Sequence, residues 1–174
     1  MNYFELFEIP VSLQIDNNEL KKKYLELQKK YHPDFSPEAD EKEQNVMLEN
    51  SSILNNGLKI FQDADETIKY VLQLKGLLEE NEKYDLPPDF LMEMMELNET
   101  MSAPDVLSVE EAATKLSWLE TELYQSVQII IENYDEEITT DEQLLLVKDY
   151  YYKKKYLKRV LERLEGMRNI ATQN

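Results

Sequence analysis

Through the first 75 residues, apolar positions return with the period of a helix, and polar capping residues mark where each run begins. Residues 2–8 (NYFELFE) fit a short helix stopped by Pro10. Asp16 and Glu19 have the spacing of an Asp-type capping box, so a second helix is predicted over 16–31. It ends there because a residue preceding proline, here the one before Pro33, is pushed out of helical geometry. Its inner stripe is Leu20, Tyr24, Leu27 and Tyr31; Lys21, Lys22, Lys29 and Lys30 fall mostly outside it, with Lys23 at its border. After the loop HPDFSPEAD a third helix fits 40–61, with Val46, Met47, Asn50, Ile53, Leu54, Leu58 and Phe61 on its expected buried side. The run DADETIKYVLQLKG follows, opening on Asp capping signals and closing at Gly76.

Residues 77–87 look like a linker, and three longer helices come after it. The first covers 88–101. The second starts at Ser108, with Glu111 completing a capping box, and runs to about 134; the third starts near Thr140, with Gln143 in the matching place, and runs to about 170. Short connections between long helices predict an antiparallel three-helix bundle over 88–174. In the last helix Leu146, Val147, Tyr150, Leu157 and Leu161 form the expected inner stripe, while Leu145, Tyr152 and Tyr156 point away from it. The stretch PPDFLMEMMELNETM is unusual. Phe90, Met94, Leu97 and Met101 make one narrow stripe, yet Leu91, Met92 and Met95 lie on a different side with Glu96 and Glu99. Such a helix is either buried on both sides or carries an adaptable binding surface, for which flexible, polarizable methionine is suited.

Composition agrees with an all-α chain: 174 residues with three glycines, six prolines and no cysteine. The missing cysteines exclude disulfides and thiolate metal sites, and with a single histidine no metal site is expected. The opening MNYFELFEIP has no basic leader character and no apolar run reaches membrane-spanning length, so a cytoplasmic protein without a membrane partner is expected. A net charge of -17 argues against nucleic-acid binding. The charge is uneven, with 9 basic and 14 acidic side chains in residues 1–75 against 10 and 22 in 76–174. Against that background the lysines of the second helix stand out, although lysines on a helix are commonly a plain solvated face.

His32, the lone histidine, heads the tripeptide His32-Pro33-Asp34 directly after that basic helix and before an antiparallel one. Motif, register and flanking helices together resemble a J-domain over residues 1–76, and the opening YFELFEIP resembles the usual J-domain start. The resemblance implies a co-chaperone that docks on a DnaK-class ATPase and accelerates its hydrolysis. The contacts it implies are His32, Pro33 and Asp34, with Lys21, Lys22, Lys23, Lys29 and Lys30 as the basic face. Phe35 departs from the pattern, standing where many J-domains have lysine.

FLMEMMELNE resembles the FLME-x-x-E-L signature of the HscB family, the J-proteins of iron–sulfur cluster assembly; SSILNNGLKIF, KYVLQLKG and the chain length also match. The resemblance implies a J-domain over 1–76 and a linker over 77–87. The bundle over 88–174 would bind an IscU-type scaffold and bring it to an HscA-type chaperone. The scaffold-binding positions it implies are Leu91, Met92, Met95, Glu96 and Glu99, with Tyr152 on the last helix. Met95 replaces the usual leucine, and Ala103 and Pro104 interrupt a region often acidic and helical in relatives. The expected protein catalyses nothing and binds no cofactor. The rival expectations are a J-protein for a different client and an acidic helical adaptor with no chaperone partner.

Overall fold

Polar capping side chains set the helix starts in the computed structural model, which describes residues 1–35, 38–102 and 105–171. Among these the helices are α1 (Tyr3–Phe7), α2 (Asn17–Tyr31), α3 (Glu41–Gln62), α4 (Ala64–Leu74), α5 (Pro88–Ser102), α6 (Val106–Glu132) and α7 (Asp141–Ala171); Pro33–Phe35 makes one 3-10 turn, and no strand is present. The chain is all-α. Asp16 accepts the N–H groups of Asn18 and Glu19, while Asn2 with Glu5 and Asp40 with Glu43 form complete capping boxes. Thr140 and Gln143 exchange the bonds expected of them, at 3.0 and 3.3 Å. Gly76 takes a left-handed φ of 68° just past α4, a conformation glycine adopts without strain.

The start of α6 differs from expectation. Asp105, not Ser108, caps it: its carboxylate accepts the Ser108 backbone N–H at 2.7 Å and the Ser108 hydroxyl at 2.9 Å. Those two bonds hold the exposed Asp105 carboxyl below its ordinary range. The interruption at Ala103 and Pro104 and the side chain of Phe35 lie outside the described residues.

The chain forms two compact units, Met1–Gly76 with Ile131–Thr139, and Leu77–Ile130 with Thr140–Asn174. Ile131–Thr139, which falls inside the range expected for the bundle, belongs to the first unit, where Glu136 accepts from the Lys75 ammonium. The core of this unit is aromatic. Phe4 and Phe7 of α1 lie 4.6 and 5.4 Å from Phe61 of α3, and the Tyr70 hydroxyl accepts the Tyr3 N–H at 2.9 Å. α2 and α3 are antiparallel neighbours: Tyr24 donates to Asn55 at 2.9 Å, while Tyr31, seven residues on, lines a groove with Met47 and Asn50.

The buried side of α3 is narrower than the apolar pattern predicts. Ser51, Leu54, Gly57 and Phe61 face the core, whereas Val46 and Ile53 are exposed. Gly57 explains the rotation, because a Cβ there would sit 2.8 Å from both the Phe7 and Tyr3 rings. α1 packs where α3 has no side chain. In α7 the expected stripe is also shifted: Val147, Tyr150 and Leu157 are buried as predicted and Leu161 partly so. Leu144 takes the core place expected for Leu146, which is exposed like Leu145.

Gly57→Ala is expected to destabilise the protein despite alanine's better helix propensity, because Phe7 is fully buried and has no room to yield. Overpacking of this kind costs about 1–3 kcal/mol, read as a lower urea midpoint with unchanged slope.

Candidate functional site

The end of α2 is shaped by proline. His32 leaves helical geometry at φ -85°, ψ 129°, as a residue before proline must, while its own N–H still donates to the Gln28 carbonyl at 2.9 Å. Pro33–Phe35 then turns in a 3-10 conformation. The Asp34 N–H donates to His32 Nδ1 at 3.3 Å and the Asp34 carboxylate lies 3.6 Å from the same nitrogen. The tripeptide is thereby closed on itself and lies at the surface, with His32 and Pro33 half-buried and Asp34 exposed. Lys21, Lys22, Lys29 and Lys30 are exposed on the preceding helix. Lys23 is placed differently: it is half-buried and paired with Glu8 at 3.2 Å, so its charge is partly engaged within the unit.

On α5 the two apolar sides separate cleanly. Phe90, Met94, Leu97 and Met101 are buried against Leu116 of α6 and Leu157 and Leu164 of α7. Leu91, Met92 and Met95 are 37%, 61% and 64% exposed, which excludes a helix buried on both sides. Glu96 and Glu99 are exposed beside them. Lys115 of α6 lies 3.7 Å from Glu93 and 3.8 Å from Glu96, partly neutralising one edge of the face.

Tyr152 is half-buried and joins a different group of side chains. Its ring stacks on Tyr84 at 4.4 Å with 5° between planes, and its hydroxyl reaches Glu82 at 3.5 Å. Both partners come from 77–87, the segment expected to link the two halves. That segment is strapped to α7. The buried Lys148 ammonium donates to the Leu77 carbonyl at 2.7 Å and to Glu82 at 2.6 Å, and Tyr84 donates to Asp149 at 2.8 Å. Burial and the bond to Asp149 push the Tyr84 phenol up to about 12. The hydrogen bond from Lys148 holds the Glu82 carboxyl below its ordinary range. Sequence reasoning missed this strap. Its only local signal is a tyrosine within a polar run, since its partners lie more than sixty residues away.

Among the described residues no group of histidine and carboxylate side chains could hold a metal ion, and no helix is long and apolar enough to cross a membrane. The fold is that of two solved helical co-chaperones. The chaperone HscB from Vibrio cholerae matches with a TM-score of 0.78 at 24% identity, over 98% of this chain and 99% of that one. Human co-chaperone protein HscB matches with a TM-score of 0.74 at 23% identity, over 95% and 81%. Residues 86–165 match the family model described as the HSCB C-terminal oligomerisation domain. Among curated relatives, a protein named co-chaperone protein HscB homolog from Haemophilus ducreyi is 35% identical over 159 residues, 88% of this chain and 90% of the relative. One of the same name from Psychromonas ingrahamii is 32% identical over 147 residues, 81% and 86%. The chain belongs to the HscB family.

The strap makes a prediction about stability. Lys148→Met strands the Glu82 carboxylate and the Leu77 carbonyl, and is expected to cost about 2 kcal/mol in chemical denaturation. Because the Glu82 value is depressed in the folded state, its contribution is present above the unfolded carboxylate range and lost as pH falls through the folded value. Glu82→Gln should therefore lower stability near neutrality but flatten the acid side of a stability–pH curve.

Proposed function

We propose that this protein is a co-chaperone of iron–sulfur cluster assembly that couples an IscU-type scaffold to an HscA/DnaK-class ATPase. The scaffold half rests above all on one observation: α5 turns Leu91, Met92 and Met95 to solvent while its opposite side fills the bundle core. An apolar face rimmed by Glu96 and Glu99 suits a partner presenting apolar side chains beside basic ones. Tyr152 is proposed as an aromatic neighbour of that face. Family membership supports the co-chaperone role, since the relatives carry that name.

For the chaperone half, the proposed J-domain is residues 1–76. His32, Pro33 and Asp34 are the proposed trigger, and Lys21, Lys22, Lys29 and Lys30 the steering charges, with Lys23 in a lesser part because of its pairing to Glu8. The surface position of the tripeptide, with Asp34 exposed, and the exposure of these four lysines are compatible with docking. A loop restrained by Pro33 and by the His32–Asp34 contact loses little entropy when it binds. Cationic side chains on one helix speed encounter with an acidic surface, an effect that weakens as salt rises. The protein's proposed work is coupling rather than covalent catalysis.

The test is ATP turnover by a purified HscA/DnaK-class chaperone, measured with this protein and with and without the scaffold. Stimulation by the protein, amplified by scaffold, is expected. His32→Gln should abolish stimulation and leave scaffold binding intact. Replacing Leu91, Met92 and Met95 together by alanine should weaken scaffold binding by about a hundredfold or more, as the loss of several hot-spot contacts does, and spare basal stimulation. No stimulation by the wild-type protein would leave an adaptor without a chaperone partner. Normal scaffold binding by the triple variant would remove the α5 assignment.

A further inference from the structure

Tyr84 lies outside every position assigned to scaffold recognition, yet it is the residue that fixes the aromatic proposed for that role. Its ring lies parallel to Tyr152 at 4.4 Å, closer than the other ring pairs of the second unit. The Tyr84 ring is itself locked from two sides, by its hydroxyl bond to Asp149 at 2.8 Å and by the Lys148 ammonium 5.7 Å from its centroid. Asp149 is held in turn by Lys153 at 2.6 Å. Tyr152 therefore has one face covered by Tyr84, and Tyr151 meets it edge-on at 5.1 Å. A half-buried tyrosine gripped in this way has few rotamers left to lose on binding.

The next turn of α7 reaches the core side of α5. Tyr156, one helical turn beyond Tyr152, meets Phe90 edge-on at 6.0 Å, and the Lys153 ammonium lies 5.8 Å from the centre of the same ring. Phe90 is the residue immediately before Leu91. The Tyr84–Tyr152 pair is thus one helical turn along α7 from the residue that meets the first turn of α5.

We infer that Tyr84 is a positioning residue for scaffold binding: it stacks on Tyr152, the aromatic proposed for that role, and presents it as a fixed ledge. The inference rests on the proposed function of the α5 face and adds the segment 77–87 to it. The ring does the positioning, and the hydroxyl only holds the ring. Asp149, Lys148 and Glu82 support the ledge from beneath without touching the scaffold.

The experiment is calorimetric binding of a purified IscU-type scaffold to the full chain, with Tyr84→Phe, Tyr84→Leu, Tyr84→Met, Tyr152→Ala and each of the Tyr84→Leu and Tyr84→Met changes combined with Tyr152→Ala. Thermal midpoint, helix content and chaperone stimulation are followed in parallel, and of Tyr84→Leu and Tyr84→Met the one retaining wild-type helix content is interpreted. Tyr84→Phe should bind within about twofold of wild type. Loss of the stacking ring should weaken binding about three- to tenfold, the scale of an aromatic pair, with chaperone stimulation unchanged. In the Tyr152→Ala background the Tyr84 change should have no further effect, which a general loss of stability would not produce. Wild-type affinity after loss of the Tyr84 ring, with the Leu91, Met92 and Met95 triple variant inactive, overturns the inference and leaves the α5 site standing. An equal loss with and without Tyr152 also overturns it. Failure of the wild-type chain to bind scaffold overturns the α5 site and this inference together.

Discussion

One geometric constraint governs the second unit: a helix that commits Phe90, Met94, Leu97 and Met101 to one core cannot bury Leu91, Met92 and Met95 in that same core. At 100° per residue the two sets are centred roughly 135° apart around the helix axis. The core set is fixed by its neighbours, since Leu116, Leu157 and Leu164 close around it. The outer set is then held in water whatever its own preference. Burial of side chains of this size is worth roughly 1.5–3 kcal/mol each, so the exposed patch holds unused hydrophobic free energy. Interface formation is the process able to release it.

The segment ahead of α5 is tied to α7 by polar contacts. A buried lysine is by itself costly to stability, because desolvation of the ammonium is expensive. Lys148 offsets the cost by meeting a carbonyl and a carboxylate, both from the segment ahead of α5. Its contacts are directional, as a leucine's would not be. They set where residues 77–84 cross α7, and through Tyr84 they set one face of Tyr152. The first unit solves the matching problem with an absence: Gly57 lets α1 approach α3, and the aromatic cluster forms at that contact.

How much of this could be seen in the sequence depended on whether the deciding interaction was local. Helix starts at Asp16 and Thr140 and the stop at Gly76 were readable because caps act over three or four residues. The two sides of α5 were readable because their residues are unambiguous in type and spacing. Ser108 misled because a second capping residue, Asp105, stands three positions before it and reaches the same turn. On α3 the buried side was marked by small residues, Ser51 and Gly57, which carry no apolar signal. On α7 the consecutive apolar residues Leu144 to Val147 fit more than one rotation. The choice goes with Lys148 turning inward, a fact written far away at Glu82. The strap was invisible for the same reason, and with it the setting of Tyr152.

The two candidate surfaces differ in chemistry in a way that bears on how one chain would keep two partners apart. The α2 surface is cationic, with Lys21, Lys22, Lys29 and Lys30 exposed. The α5 surface is apolar with an anionic rim at Glu96 and Glu99. A partner complementary to the first must be acidic, and placing it on α5 would set carboxylate against carboxylate while leaving the methionines covered by polar groups. A partner complementary to the second, with basic groups around an apolar patch, would meet four lysines on α2. Under the proposed roles each surface would reject the other's ligand through like-charge repulsion and unsatisfied burial, and such opposition discriminates more sharply than attraction alone. Lys115 refines the contrast without reversing it, since it engages Glu93 and Glu96 but leaves Glu99 at the rim. Against a net charge of -17 a small cationic face is distinctive, and in the proposed role that contrast would direct the encounter.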